Sequence, residues 1–532
     1  MAPRRIFFFG SLLTLALSGG LFAMHHALFW IPLAVLAIVL LGVYDVVQTK
    51  HTIRRNFPVV GRFRYLFEIV RPELHQYFIE TNSSGRPFSR ELRSLVYQRA
   101  KNVTDTLPFG TEKDVYAVGY EWMTHSLLAK HPSETAPRVH IGGPACKQPY
   151  DAAMLNVSAM SYGSLSKNAI MALNTGAKIG GFYHNTGEGG LTPHHLECGG
   201  DIVWQIGTGY FGCRDEHGGF SPELFRERAL LPNVKMIEIK LSQGAKPGHG
   251  GIFPAKKVTP EIARIRLVPL GIDIVSPPGH SSFDTPLGLC AFIQKLRELA
   301  EGKPVGFKLC IGKRREFLAI CKAMVETGIT PDFITVDGGE GGTGAAPLEF
   351  SNVVGTPLDE GLIFVHNALV GIGVRDRVKV IASGRIVTGF DIAHKLALGA
   401  DLCNSARAMM FALGCIQAQK CNTNECPTGV ATQDPHLMVG LVVSDKAQRV
   451  ANFQRNTVRA FTELLAAVGL DRPEELEPWH ILRRTSANDV KHYGEIYEYL
   501  APSALLTEPL PRSFARAWNS ASAGTFHSVA KS

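Results

Sequence analysis

Between Leu155 and Cys403 the chain repeats one pattern eight times: a short β-branched or apolar run closed by Gly, Ser or Asn, then a segment of helical period. Parallel βα units read this way, because a parallel strand is covered on both faces and so is apolar throughout. The candidate strands are Asn156–Met160, Gly181–His184, Met236–Lys240, Ile272–Val275, Pro304–Leu309, Phe333–Val336, Lys379–Ile381 and Asp401–Cys403. Eight units predict an α/β fold closed into a (β/α)8 barrel, with its chemistry at the C-terminal strand ends. Trp204 to Gly209 is a further apolar run, placed in an excursion after the second strand.

Ahead of the barrel, Ile6 to Met24 and Ala27 to Val47 are almost wholly apolar, interrupted by His25 and His26. Each run is about 20 residues, enough to cross a ~30 Å hydrocarbon layer as a helix. A cleaved signal peptide is the alternative for the first run, but a second long run so soon after it argues for a transmembrane hairpin. Arg4 and Arg5 precede the pair, and Lys50, Arg54, Arg55, Arg62 and Arg64 follow it. The positive-inside rule then puts the bulk of the chain on the cytoplasmic side of the inner membrane. The expected organisation is a hairpin over 1–50, a helical and mixed segment over 51–140, the barrel over 141–435 and a helical segment over 436–532. In the second of these, FRYLFEIVRPELHQYFIE and RELRSLVYQRAK are amphipathic and read as packing or docking helices. VANFQRNTVRAFTELLAAVGL is amphipathic too and is expected to pack outside the barrel, while the stretch from Pro511 is small, polar and expected to fray.

Much of the net charge of +8 lies beside the apolar runs, and no basic run is interleaved with aromatic residues, which argues against nucleic-acid binding. The ten cysteines show no secreted disulfide pattern, so a reducing compartment is expected. Three of them, Cys415, Cys421 and Cys426, form a C-x5-C-x4-C array in the polar loop CIQAQKCNTNECPTGVATQ. Soft thiolates at such spacing select iron–sulfur or zinc. Three ligands suit a three-iron cluster or a site completed from elsewhere; buried free cysteines are the bland alternative.

The strand ends carry the remaining signals. SAMSYGSLS, with Ser158, Ala159 and Met160, leaves room for a flat ring. In NTGEGG, Glu188 is the one ionisable group among glycines; it can act as acid or base, hold an ammonium, or be a solvated turn residue. KLSQGAKPGHGG sets Lys240, Gln243 and Lys246 three apart on a turn, with Arg266 one short helix later. Converging cations beside a Gly-rich loop fit a dicarboxylate or phosphate, against the alternative of a solvated basic face. Lys308 ends VGFKLC at the barrel mouth, where many flavin barrels place a lysine beside the pyrimidine ring. VDGGEGGTGAAP, with Gly338, Gly339, Gly341, Gly342 and Thr343, offers backbone N–H groups to a phosphate or ribityl chain. Ser383, Gly384 and Arg385 after the seventh strand, with Ser405 and Ala406 after the eighth, are phosphate candidates. A phosphorylated cofactor, best fitted by FMN, an acidic-substrate pocket and an iron–sulfur loop straight after the eighth strand together describe an oxidoreductase.

AMSYGSLS, NTGEGG, KLSQGAKPGHGG, SPPGH, VDGGEGGTGAAP and the cysteine loop, in this order, resemble the FMN-binding barrel domain of glutamate synthases over about Asn156 to Gln433. The whole chain is similar to the short bacterial FMN-binding glutamate synthase family. The resemblance implies a TIM barrel, with 2-oxoglutarate on Lys240, Gln243, Lys246 and Arg266 and with Glu188 lining the same pocket. It implies Gln205 against FMN, Lys308 beside the reactive edge of the flavin, and a 3Fe–4S cluster on Cys415, Cys421 and Cys426. Glu188, Lys246 and Lys308 are its implied catalytic residues, for condensation of ammonia with 2-oxoglutarate and hydride reduction of the imine to L-glutamate. No segment resembles the glutaminase domain, the glycine-repeat domain or an NADPH-binding pattern of the full-length enzymes, so the implied electron donor is external, a ferredoxin-like carrier or a reductase subunit. His249 and Ile252 stand where those enzymes usually carry Glu and Gln. The nitrogen donor is thus open between ammonia, glutamine through a partner, and another amine. An N-methylglutamate synthase-like activity is the alternative, and a membrane-tethered electron-transfer subunit the third reading.

Overall fold

The structure, a computed structural model, describes residues 3–529, the side chain of Ile252 excepted. It divides into two compact units, Met1–Glu91 and Leu92–Ser532.

The first unit is built on α1 (Pro3–Met24) and α2 (Trp30–Val47), joined through the turn His26–Leu28. Both are long and apolar enough to cross a membrane. They pack closely because Gly42 lies under the Phe7 ring, where an added Cβ would come within 2.1 Å of it. Past α2 the chain turns back on itself. Asp45, fully buried, accepts Arg62 Nε at 2.9 Å, an Arg62 terminal nitrogen at 2.8 Å and the Val59 N–H at 3.0 Å. This ties α2 to α3 (Gly61–Leu74), which a π-helical turn extends over His75–Ile79.

The second unit holds a closed barrel of eight parallel strands in sequential order. They are β1 (Leu155–Val157), β2 (His184–Asn185), β3 (Ile202–Ile206), β4 (Val234–Lys240), β5 (Val305–Leu309), β6 (Phe333–Asp337), β7 (Lys379–Ser383) and β8 (Leu402–Ser405). The barrel expectation holds, with one strand exchanged. The run expected as the fourth strand, Ile272–Val275, lies outside the barrel, where Ile274–Val275 pairs antiparallel with Ile252–Phe253. Its Ile272 and Val275 are 54% and 64% exposed, whereas a barrel strand must be covered on both faces. The place goes to Ile202–Ile206, expected as part of an excursion; every residue of it is buried, and Trp204 stacks on Phe225 at 5.2 Å.

Around the barrel, the helix Val443–Val468 packs against Lys167–Gly180. Gly176 permits the approach, since a Cβ there would lie 2.8 Å from the Ala447 carbonyl. Ile481–Ser486 and Asp489–His492 form a hairpin that Glu121–Met123 extends to three antiparallel strands. Over the described residues, 511–529, the stretch from Pro511 does not fray. It forms the helix Arg512–Asn519, which buries Phe514 and Trp518, with Phe514 stacked on Phe364 at 5.4 Å.

Candidate active site

Residues two apart on a strand share a side, so Glu238 and Lys240 of β4 both belong to the barrel interior. Lys240, at the strand end, places Nζ 2.7 Å from Glu188 Oε1. Glu188 rides a 3₁₀ turn, Gly187–Gly189, directly after β2. Glycines make room for it: a Cβ on Gly207 would lie 2.7 Å from Glu188 Cβ, and one on Gly251 would lie 2.8 Å from Oε1. Burial works to raise the Glu188 carboxyl, but Lys240, then Lys246 and Arg266, outweigh it and hold the group below its ordinary range.

The other cations come from the loop and helix after β4. Lys246 is 4% exposed, donates to the Ala345 carbonyl at 3.0 Å, and is pushed down by burial against the opposing pull of Glu188. Gln243 is half-buried between the two lysines in sequence. Arg266 ends the helix Pro260–Arg266, which Thr259 caps. Its guanidinium donates to the Tyr162 carbonyl at 2.8 Å and lies over Phe253 at 4.3 Å and Phe211 at 5.2 Å. Burial brings it down to about 10. His280 donates from Nε2 to the Lys240 carbonyl at 2.9 Å, and burial lowers it to about 4, so the imidazole is neutral.

Lys308 of β5 is 6% exposed, with Nζ 3.3 Å from Asp337 Oδ2 at the end of β6. Burial would lower this lysine, but Asp337 and Glu238 reverse the sign and keep it charged. The second Asp337 oxygen accepts Ser383 Oγ at 2.8 Å, and the Gly244 N–H donates to Oδ2 at 2.8 Å. Glu238 accepts Asn185 at 2.8 Å, Gln205 at 2.6 Å and Thr335 at 2.6 Å. One buried carboxylate thereby fixes β2, β3, β4 and β6, and orients Gln205.

At the ends of β1, β7 and β8 the hydroxyls gather. Ser158 Oγ lies 3.2 Å from Ser383 Oγ, and Ser405 Oγ donates to the Ile386 carbonyl at 2.7 Å. Ala159 and Met160 follow β1, half-buried and 9% exposed. Gly384 is tucked against Leu358, and Arg385 is exposed with φ +53°. Ala406 is half-buried and precedes Arg407, which donates to the Glu340 carbonyl at 2.8 Å. The glycine run offers fewer open amides than expected. Gly338, Gly339 and Gly341 give theirs to the carbonyls of Ser383, Thr356 and Gly338, while Gly342 and Thr343 are exposed.

The cysteine loop does not follow β8 directly; the helix Arg407–Leu413 intervenes. Cys415 accepts the Gln417 N–H at 3.4 Å, and Cys426 lies 3.5 Å from Thr428 Oγ1. Burial pushes Cys415 up to about 12 and raises Cys421. For Cys426, burial is outweighed by the Thr428 hydroxyl and the N–H groups of Ala431, Thr428 and Val430, which lower it. The thiols are near enough for charge on Cys421 and Cys426 to act on Cys415, and for charge on Cys426 to act on Cys421. Among the described residues no three His, Cys, Asp or Glu side chains converge as one metal ion requires. Beside the loop, the buried Lys257 donates to the carbonyls of Cys421 at 3.0 Å, Ala431 at 3.2 Å and Ser164 at 3.3 Å. His249 donates to the Gly250 carbonyl at 2.7 Å and meets Phe350 edge-on at 5.2 Å; the side chain of Ile252 lies outside the described residues.

The expected cations, Glu188 and Lys308 thus collect at one end of the barrel. Sequence reasoning missed Glu238, Asp337 and His280. The signal for the first was available: Glu238 interrupts the apolar run MIEIK two residues before Lys240, on the same side of the strand.

Residues 142–471 match the family model described as "Conserved region in glutamate synthase". The glutamate synthase large subunit-like protein YerD of Bacillus subtilis (strain 168) is 38% identical over 481 residues, 83% of this chain and 91% of that protein. The archaeal glutamate synthase (NADPH) of Methanocaldococcus jannaschii is 36% identical over 321 residues, 60% of each chain. The glutamate synthase (NADPH) large chain of B. subtilis is 32% identical over 326 residues, 60% of this chain and 20% of that one. This chain therefore spans nearly all of the first relative, about three fifths of the second and a fifth of the third. A model match across most of the barrel unit and a relative aligned almost end to end place this chain in the glutamate synthase family.

Proposed function

We propose that this glutamate synthase-type oxidoreductase binds FMN at the mouth of the barrel and reductively aminates 2-oxoglutarate to L-glutamate. Cys415, Cys421 and Cys426 would hold a 3Fe–4S cluster, which would supply one-electron transfer from an external carrier, ferredoxin-like or a reductase subunit. One observation carries the reading: Lys240, Lys246 and Arg266 are buried around a single carboxylate, Glu188, so cations outnumber anions where a dicarboxylate would sit. Burying such charges is costly unless a ligand compensates them.

In this reading Lys240, Gln243, Lys246 and Arg266 hold the two carboxylates of the oxoacid, which is catalysis by positioning and charge complementarity. Glu188, ionised beside Lys240, takes the amine proton or holds the ammonium. FMN, when bound, supplies the hydride. The donor set fits it: Gln205 and a charged Lys308 on β3 and β5 for the ring, and Ser158, Ser383, Gly384, Arg385, Ser405 and Ala406 across β1, β7 and β8 for the phosphate. Ala159 and Met160 would line the ring side, and the loop Gly338 to Thr343 would flank the ribityl chain. The cysteine loop suits a polynuclear cluster better than a single ion, because each iron of a three-iron cluster needs only one thiolate. The hairpin anchors the enzyme in the inner membrane with the barrel unit cytoplasmic; two helices long and apolar enough to cross a bilayer, and their basic flanks, support this. A second reading keeps the oxoacid and exchanges ammonia for methylamine, since the packing of His249 against Phe350 gives the loop after Lys246 an aromatic wall.

The test is anaerobic reduction of the holoenzyme, followed by flavin reoxidation on adding 2-oxoglutarate with ammonia, with glutamine or with methylamine. Reoxidation with one amine assigns the nitrogen donor; none with any of the three refutes the proposal and leaves an electron-transfer subunit. Lys246→Ala should abolish substrate-dependent reoxidation and keep the flavin bound, and loss of the flavin would contradict this division of the pocket.

A further inference from the structure

α3 carries an apolar stripe that is left open. Phe63, Leu66, Phe67, Val70 and Leu74 recur at three- and four-residue intervals and so share one face. Tyr77 and Phe78 follow in the π-helical turn. Phe63 is 55% exposed, Phe67 61% and Phe78 82%, and no residue of α3 beyond Gly61 is buried. A face of this kind on a water-soluble surface is a liability, so it marks what the helix meets.

Two features say what that is. The first is continuity with the apolar hairpin: the Asp45 carboxylate, two residues before the end of α2, is locked to Arg62 and to the Val59 N–H, so α3 starts at the level where the apolar span stops. The second is charge. Lys50, Arg54, Arg55, Arg64 and Arg71 border the stripe or the turn before it, against Glu68 and Glu73. An amphipathic helix with basic flanks at the end of a span matches an anionic lipid surface.

We infer that α3 and its extension lie in the headgroup layer of the bilayer, with the face formed by Phe63, Phe67 and Phe78 at the acyl boundary and the flanking arginines on anionic phospholipid. This rests on the reading of α1 and α2 as a membrane hairpin. The partner is the lipid surface itself, and the helix holds the chain flat against it where the hairpin emerges.

The full-length protein, in nanodiscs of phosphatidylcholine and phosphatidylglycerol doped with a diazirine acyl-chain lipid, is irradiated and its lipid adducts are mapped by mass spectrometry. Adducts are expected on residues 61–79 as well as on the hairpin. Omitting phosphatidylglycerol should reduce those on 61–79 at least threefold and leave the hairpin adducts unchanged. The triple variant Phe63→Glu, Phe67→Glu, Phe78→Glu should lose the first set and keep the second; if it fails to insert, the wild-type map decides alone. Adducts confined to the hairpin would overturn the inference. Absence of adducts from the hairpin as well would show that the membrane reading beneath it had failed.

Discussion

Glu188→Gln is the substitution that best separates the roles in the cationic pocket. Glu188 Oε1 lies 2.7 Å from Lys240 Nζ, so a ligand carboxylate received by the same ammonium at ~2.8 Å would sit no more than about 5.5 Å from it. Two like charges at that distance repel by about 3 kcal/mol at an effective dielectric of 20, and by less than ~1 kcal/mol if water intervenes. Neutralising the residue should therefore tighten 2-oxoglutarate binding by about 1–3 kcal/mol, roughly 5- to 150-fold. The pH dependence has a definite sign. Lys246 is already lowered by burial, and Glu188 is the group that holds it up. Without Glu188 the Lys246 charge is lost at lower pH as pH rises, so the gain in affinity is largest near neutrality and shrinks on the alkaline side. Isothermal titration of the oxidised holoenzyme at pH 7 and pH 9, for wild type and variant, reads both effects. If Glu188 also serves the amine, reoxidation with ammonia slows although the oxoacid binds better. Affinity at pH 7 that is unchanged or weaker would refute the placement of Glu188 beside the carboxylate subsite.

Cys421→Ser should remove the iron–sulfur absorbance and leave the flavin spectrum, and an unaltered iron content would refute the ligand assignment. Lys303, 7% exposed and donating to the carbonyls of Ala229 and Leu231, is lowered by burial to about 8 from 10.5. Its folded state binds fewer protons than the unfolded chain between these values, so wild-type stability should rise relative to Lys303→Met by up to about 3 kcal/mol across that window. Parallel denaturation curves at pH 7.5 and pH 10 check this. Trp518→Ala should cost about 3 kcal/mol, measured as a lower denaturation midpoint, because the ring is 9% exposed beneath the Lys322 ammonium; no shift would mean that the C-terminal helix is not docked.

The barrel was legible because seven of its strands are short apolar runs ending in small residues, and the periodicity shows this without any partner. The exchange of Ile202–Ile206 for Ile272–Val275 shows where that signal stops. Both are short apolar runs, and only coverage on the second face, a tertiary fact, tells them apart. Lys240, Lys246 and Glu188 stood out as charges beside glycines, with Arg266 one short helix later. Glu238 and Asp337 did not, because their meaning lies in partners from other strands, Asn185, Gln205 and Thr335 for one and Lys308, Gly244 and Ser383 for the other. The tail from Pro511 misled for the opposite reason: its composition is polar, and two aromatic side chains are enough to dock it.

Lys257 has a consequence for how the protein is assembled. Its ammonium joins carbonyls that are 93, 164 and 174 residues away in the chain, and Gln433 reaches back to Gly163 and Leu165 over 270 and 268 residues. Contacts of such sequence separation form after the local βα units, alongside the barrel seam that pairs Cys403 with Leu155. The cysteine loop is therefore given its shape by side chains of the barrel unit rather than by a metal. A cluster built on it is the last part fitted, so the iron-starved protein should be a folded barrel awaiting metal rather than an unfolded chain.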